Sequence, residues 1–186
     1  MTATGEPGGD GSAQRFAPGL GLGHVAVLVG LSGAGSVWPG DDLASRIDEW
    51  AKVVDHAGVP WLSVRPTTGT PANLPPGPAV HHVGGCTVIV DAEPDGRRRL
   101  AGVLAGLPGN APEAAVSAAL NHPAPTDPDL IVVVGPDHRL PASVVWELAY
   151  AELVYIEPPG DELTGRHIED ALAEFAHRHR RFGGLD

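Results

Sequence analysis

The sequence predicts a single α/β domain with a mostly parallel central sheet flanked by helices. Three observations carry that expectation. The apolar runs HVAVLV (His24–Val29), CTVIV (Cys86–Val90) and DLIVVVG (Asp129–Gly135) are continuous rather than alternating, as strands buried on both faces require. Stretches with helical spacing separate them, Leu43, Ile47, Trp50 and Val54 being the clearest. A length of 186 residues suits one core and is too short for two.

The elements follow in order. After the first strand, GLSGAGSVWPG supplies a loop, Asp41 or Asp42 can cap the next helix, and Gly58 sits just past its end. VPWLSV (Val59–Val64) is the second strand. Residues 66–85 form an irregular, Pro-rich connection that is too proline-rich for a helix. After the CTVIV strand, Arg97–Leu107 reads as a helix weakened by Gly102 and Gly106. Pro112 suits the first turn of another helix that runs to about Asn121. Beyond DLIVVVG, Pro141–Leu153 reads as a helix and VYI as a short strand. Thr164 caps a last helix through Arg181.

Composition narrows the function classes. Twelve Lys+Arg against 23 Asp+Glu give a net charge of −11, which argues against a nucleic-acid binder relying on global positive charge. At 42% hydrophobic residues, the chain has enough apolar surface for a core. Fourteen glycines and prolines fall in residues 1–40 and nine in 66–85, marking a tail and a connection. Residues 1–23 read as a flexible N-terminal tail, 24–184 as the folded domain and 185–186 as its end. Cys86 stands alone, so no internal disulfide forms. No run reaches the roughly 20 apolar residues of a membrane span, and the N-terminus does not look like a secretory signal. The expectation is therefore a cytoplasmic protein.

Gly30, Gly33 and Gly35 follow a strand and invite a phosphate-binding reading, but no Lys follows and the dinucleotide-binding spacing fails, so a plain loop is favoured. His81, His82, His138, His177 and His179 show no metal-ligand spacing and read as surface residues. The C-terminal run His177-Arg178-His179-Arg180-Arg181 is different. Its cations either complement the helix dipole or, with Phe182-Gly183-Gly184 behind them, present guanidinium forks to an anion; on the residues alone the two stand level.

A family resemblance enters on DLIVVVGPDHRLPASVVWELAYAEL (Asp129–Leu153) and IEDALAEFAHRHRRFGG (Ile168–Gly184). These segments resemble the C-terminal part of the cis-prenyltransferases, the undecaprenyl diphosphate synthase family. Weaker similarity upstream touches His24–Val29, Leu43–Val64 and Asp95-Gly96-Arg97. The resemblance implies a cis-prenyltransferase-like fold and a chemistry that joins isopentenyl diphosphate to an allylic diphosphate with Mg2+.

Several parts that the resemblance would supply have no counterpart here. The family's aspartate, which holds Mg2+ and the allylic diphosphate, falls on Gly30, and Gly30–Ser36 contains neither acid nor base. Of the isopentenyl diphosphate pocket, the matching positions are Val133, Arg139 and Pro141, so only Arg139 remains. A second magnesium carboxylate matches Glu152, whose alternative is a solvated glutamate at a helix end. The two long helices that line the product tunnel have no room in the Pro-rich tract, so the tunnel helices are missing. The Arg-x-Gly that reaches across the dimer matches Arg181-Phe182-Gly183 and is intact.

Together these features are similar to the non-catalytic, Nogo-B-receptor-like subunit of heteromeric cis-prenyltransferases, a branch that Gly135-Pro136 also resembles. The resemblance implies pairing with a catalytic subunit, isopentenyl diphosphate at a shared site, an interface through Trp146, Tyr150 and Tyr155, and Mg2+ held mainly by the partner. Two alternatives stand beside it: a homodimeric transferase built on Arg139, Glu152 and Arg181, and a fold-retaining scaffold without substrate.

Overall fold

A computed structural model describes residues 19–30, 41–67, 77–135 and 140–182. Six strands form one sheet: β1 (His24–Val29), β2 (Trp61–Pro66), β3 (Ala79–Val83), β4 (Cys86–Val90), β5 (Leu130–Val134) and β6 (Glu152–Ile156), in the order β3-β4-β2-β1-β5-β6. All neighbours run parallel except the β3–β4 pair. Four helices accompany them: α1 (Asp41–His56), α2 (Gly96–Gly106), α3 (Glu113–Asn121) and α4 (Gly165–Phe182). The predicted α/β class with a mostly parallel sheet is the observed one.

β1 is the central strand, and all six of its residues are buried. Its odd-numbered residues Val25, Val27 and Val29 join Trp50, Ile47, Leu172 and Phe175 in the main core beneath α1 and α4. Ala26 and Leu28 point the other way and meet Ile131, Val133 and Val144 in a smaller cluster. Packing starts ahead of the expected domain boundary, because Leu22 is buried in the main core and Leu20 packs against it. The Asp129 carboxylate ties this entry down by accepting from the Gly23 and His24 N–H groups, at 2.7 and 2.9 Å.

Two expected elements are corrected. Residues 66–85 are not irregular throughout: β2 runs to Pro66, and Ala79–Val83 is an antiparallel edge strand on β4. The Pro-free stretch AVHHV forms it, and Gly84-Gly85 turns the chain. Gly84 takes φ +61°, and an added Cβ would lie 2.1 Å from Asp55 Oδ2. The Asp55 carboxylate also accepts the Gly85 N–H at 2.8 Å. Among the described residues between β2 and β4 there is no helix.

The second correction is Pro141–Leu153, which is not a helix beyond a single 3-10 turn at Glu147–Ala149. Its carbonyls are engaged elsewhere: Ala142 O accepts the Gly96 N–H at 2.8 Å and Ser143 O accepts Arg99 Nη1 at 3.3 Å. Adjacent β-branched Val144 and Val145 also disfavour a helix. Smaller differences are at element ends: Pro112 is the N-cap of α3 rather than in its first turn, and β6 extends VYI by two residues. Thr164 does precede α4, its N–H donating to His167 Nδ1 at 3.1 Å.

His24 makes the fold acid-sensitive. Its ring is fully buried between Thr126 O, 3.0 Å from Nδ1, and Ser63 Oγ, 2.8 Å from Nε2. A carbonyl only accepts, so the neutral ring carries its proton on Nδ1. Burial, reinforced by the nearby Arg65 charge, pushes the pKa from 6.5 down to about 4. Between those values the unfolded chain binds the extra proton, so the stability that depends on His24 falls as pH drops from about 6.5, and this loss is complete below about 4. The urea midpoint of the native chain is expected to decline from pH 7 to pH 5, and that of His24→Gln to decline less steeply.

Candidate functional site

In an open parallel sheet, ligands bind beyond the carboxyl ends of the strands where the strand order reverses. Here the chain winds from β1 towards β2 and β4, then returns to place β5 on the other side of β1. The crevice between the ends of β1 and β5 is therefore the expected site, and Gly30 and Gly135 stand at it. Gly30 is closely packed: its N–H donates to Val134 O at 3.3 Å, and its carbonyl accepts the Gly160 N–H at 2.7 Å. A Cβ on Gly30 would meet Thr67 Oγ1 at 3.0 Å and Val134 O at 3.3 Å. No side chain, and so no carboxylate, projects from this strand end.

The other matched positions are distributed unevenly. Val133 is 3% exposed within the second core cluster and Pro141 is buried, so both are packing residues. Arg139 and Gly183 lie outside the described residues. Arg181 and Phe182 form the last turn of α4, where only the backbone is described.

Glu152 does not end a helix, as one alternative expected; it opens β6, half-buried, in register with Leu130. Five residues of parallel strand separate this rim from Gly30, roughly 16 Å at the rise of a strand. Within one chain, then, Glu152 and the β1 end are not brought together. Among the described residues no group of three metal-ligating side chains converges, and a neutral Gly30 with a distant Glu152 does not fit a Mg2+ site. His81 lies 3.0 Å from Asp48 Oδ1, and His82 Nδ1 lies 3.1 Å from Thr87 Oγ1.

Trp146 and Tyr150 do come together, with ring centroids 6.0 Å apart and tilted by 43°. Trp146 Nε1 donates to Ser117 Oγ at 3.0 Å, and the Tyr150 hydroxyl donates to Glu113 Oε1 at 2.8 Å. That bond to a carboxylate raises the Tyr150 pKa. Leu140, Val145 and Tyr150 expose large apolar surfaces along the same segment. Tyr155, on β6, packs against the second core cluster. The end of α4 reaches the same edge strand, where Arg178 Nη1 donates to Leu153 O at 2.8 Å while pairing with Glu174.

Sequence reasoning missed a buried charge cluster. Arg65, at the end of β2, donates to Glu147 Oε1 at 2.7 Å and to Asn121 Oδ1 at 3.2 Å. Arg99 reaches the same Glu147 oxygen at 3.0 Å, Asp91 Oδ2 at 2.9 Å and Leu120 O at 2.8 Å. Burial alone would push the Glu147 carboxyl up, but Arg65 and Arg99 outweigh it and hold its pKa below the usual range. Two arginines face two carboxylates, so the cluster is neutral in sum. The available signal was a charge in an apolar setting: Arg65 follows WLSV and Glu147 sits within VVWEL.

The fold and site define an open α/β protein with a bare glycine at its central strand end. Residues 86–183, just over half of the 186, match the prenyltransferase family model described as "Putative undecaprenyl diphosphate synthase". The chain belongs to that family. It is 41% identical over 70 residues to isoprenyl transferase 2 of Bradyrhizobium diazoefficiens, covering 38% of this chain and 28% of that protein. It is 38% identical over 58 residues to the ditrans,polycis-undecaprenyl-diphosphate synthase of Escherichia coli, covering 31% of this chain and 23% of that one. The chain thus spans less than a third of the length of these curated relatives.

In three dimensions the likeness is broader. A probable undecaprenyl diphosphate synthase from Campylobacter jejuni superposes with a TM-score of 0.60 at 17% identity, over 87% of this chain and 98% of that one. Lavandulyl diphosphate synthase from Lavandula x intermedia gives 0.56 at 13% identity, over 84% and 96%. These two share the fold.

Proposed function

We propose that the chain is a non-catalytic, Nogo-B-receptor-like accessory subunit of a heteromeric cis-prenyltransferase. The complex makes a polyprenyl diphosphate from isopentenyl diphosphate and an allylic diphosphate. The chain pairs with a catalytic subunit and donates Arg181, with the Phe182-Gly183 backbone, to the partner's isopentenyl diphosphate. The observation that carries this is Gly30: this residue at the central strand end carries no acid, and a Cβ there would press on Thr67 Oγ1 and Val134 O, at 3.0 and 3.3 Å. A neutral strand end cannot hold Mg2+ or offset the charge of a leaving diphosphate. The buried Val133 and Pro141 support the same reading.

Mg2+ is then held mainly by the partner, and Glu152, remote from Gly30 in its own chain, acts on a metal only across the interface. The exposed Leu140, Val145 and Tyr150, with Trp146 and the β6 edge bearing Tyr155, form the face that meets the partner. Among the described residues no helix is long and apolar enough to cross a membrane.

The test is prenyl transfer from isopentenyl and farnesyl diphosphates with Mg2+, by the chain alone and mixed with each catalytic homologue of its source. Activity above that of the homologue alone, in one mixture and not from this chain alone, is the expected result. Turnover by the isolated chain would instead support a homodimeric transferase, with Arg139, Glu152 and Arg181 as its residual site. No effect in any mixture would leave a scaffold.

A further inference from the structure

The two faces of the sheet are covered in different ways. α1 and α4 lie on the first face through a broad apolar core. The second-face cluster contains Ala26, Leu28, Ile131, Val133 and Val144, and no residue of α2 or α3. The only buried residue of α2 is Gly96. α3 buries Val116 and Leu120, and residues 140–151 pack Val144, Leu148 and Ala151 on the second face, but what ties α2 to that segment and to the sheet is polar and directional. Gly96 N–H holds Ala142 O, and Arg99 holds Ser143 O, Leu120 O, Asp91 and Glu147. At the centre, the single Oε1 of Glu147 receives Arg65 from the sheet and Arg99 from α2, and this side chain is 1% exposed.

We propose that Glu147 is a positioning residue, the keystone of an ionic lock that fixes residues 140–151 and thereby the face presented to the catalytic subunit. This rests on the accessory role above. An apolar contact tolerates sliding, whereas a carboxylate oxygen shared by two guanidinium forks has one good arrangement. Buried ion pairs add little net stability and in some proteins specify a unique arrangement, which is the role assigned here. The exposed Leu140, Val145 and Tyr150 are then placed by the charges beneath the segment together with the packing of Val144 and Leu148.

Hydrogen exchange read by mass spectrometry on the isolated full-length chain tests the lock without any partner. In Glu147→Gln, amides of residues 96–121 and 140–151 are expected to exchange at least tenfold faster, with β1, α1 and α4 unchanged. Uniform acceleration across the chain, or none, would overturn the proposal. The second arm measures affinity for the catalytic subunit in Glu147→Leu, Arg99→Leu and the double variant. Each single change is expected to weaken binding at least tenfold, and the double to bind no worse than the weaker single, because either change alone already opens the lock; recovery to native affinity in the double would mean that unbalanced charge, not positioning, weakened the single variants. Additive losses, or local loosening without weaker binding, would sink the positioning role. Absence of any partner for the native chain would refute the accessory role, and with it the lock's proposed purpose, while the exchange pattern still reports whether the lock exists.

Discussion

Arg181→Ala is expected to lower turnover of the assembled complex by about a hundredfold, the scale on which a misplaced substrate costs rate. Binding of the two subunits should be unchanged, because the apolar surface offered to the partner is supplied by Leu140, Val145 and Tyr150 and not by Arg181. A guanidinium fork on the isopentenyl diphosphate makes paired, charge-assisted bonds that hold the acceptor alkene against the allylic carbon, so the loss should appear in KM for isopentenyl diphosphate as well as in turnover. Arg181→Lys keeps the charge without the fork, so it should recover part of the rate. Steady-state kinetics with saturating catalytic subunit, beside a titration of complex formation, separates the effects. Full turnover by the alanine variant would mean that the tail does not serve the partner's site.

Trp50→Ala should bring the largest loss of stability. The Trp50 side chain is fully buried in the main core, and its Nε1 donates to Leu163 O at 3.3 Å. Truncation leaves a large void, and substitutions of this kind cost about 3–5 kcal/mol. Against the roughly 5–15 kcal/mol that holds a typical domain together, that is a fifth of the total or more. Arg46 Nη1 also reaches Leu163 O, at 3.2 Å, so the carbonyl keeps a partner and the loss is mainly one of packing. Trp50→Phe, which keeps most of the volume, should lose far less. Urea midpoints of the two variants give the comparison, and equal losses would point to the hydrogen bond instead.

The strands were legible because a central parallel strand is apolar at every position: β1, β4 and β5 lie within one residue of HVAVLV, CTVIV and DLIVVVG. α1 and α4 were legible for the complementary reason, each having a wide core to face. Residues 141–153 were not. Their helical appearance came from an apolar-rich composition, whereas their conformation is set by α2 capturing two of their carbonyls and by Glu147 turning inward, partners that lie some forty to eighty residues away. β3 was hidden by the prolines before it. Of the candidate site, the absence of an acid at Gly30 could be read directly. That Glu152 sits at the opposite rim depends on strand register, which no local pattern encodes.

The position of β1 also governs how the chain acquires its fold. One side of this strand pairs with β2, which follows soon in sequence. The other pairs with β5, and the Asp129 carboxylate that clasps the His24 N–H is 105 residues away. Long-range parallel pairing is slow to nucleate. During synthesis, the apolar strand at the heart of the sheet must wait with one edge bare until more than two thirds of the polypeptide has emerged, and bare edges recruit other chains. Recombinant yield should therefore depend on translation speed and chaperone supply, apart from the stability of the finished molecule.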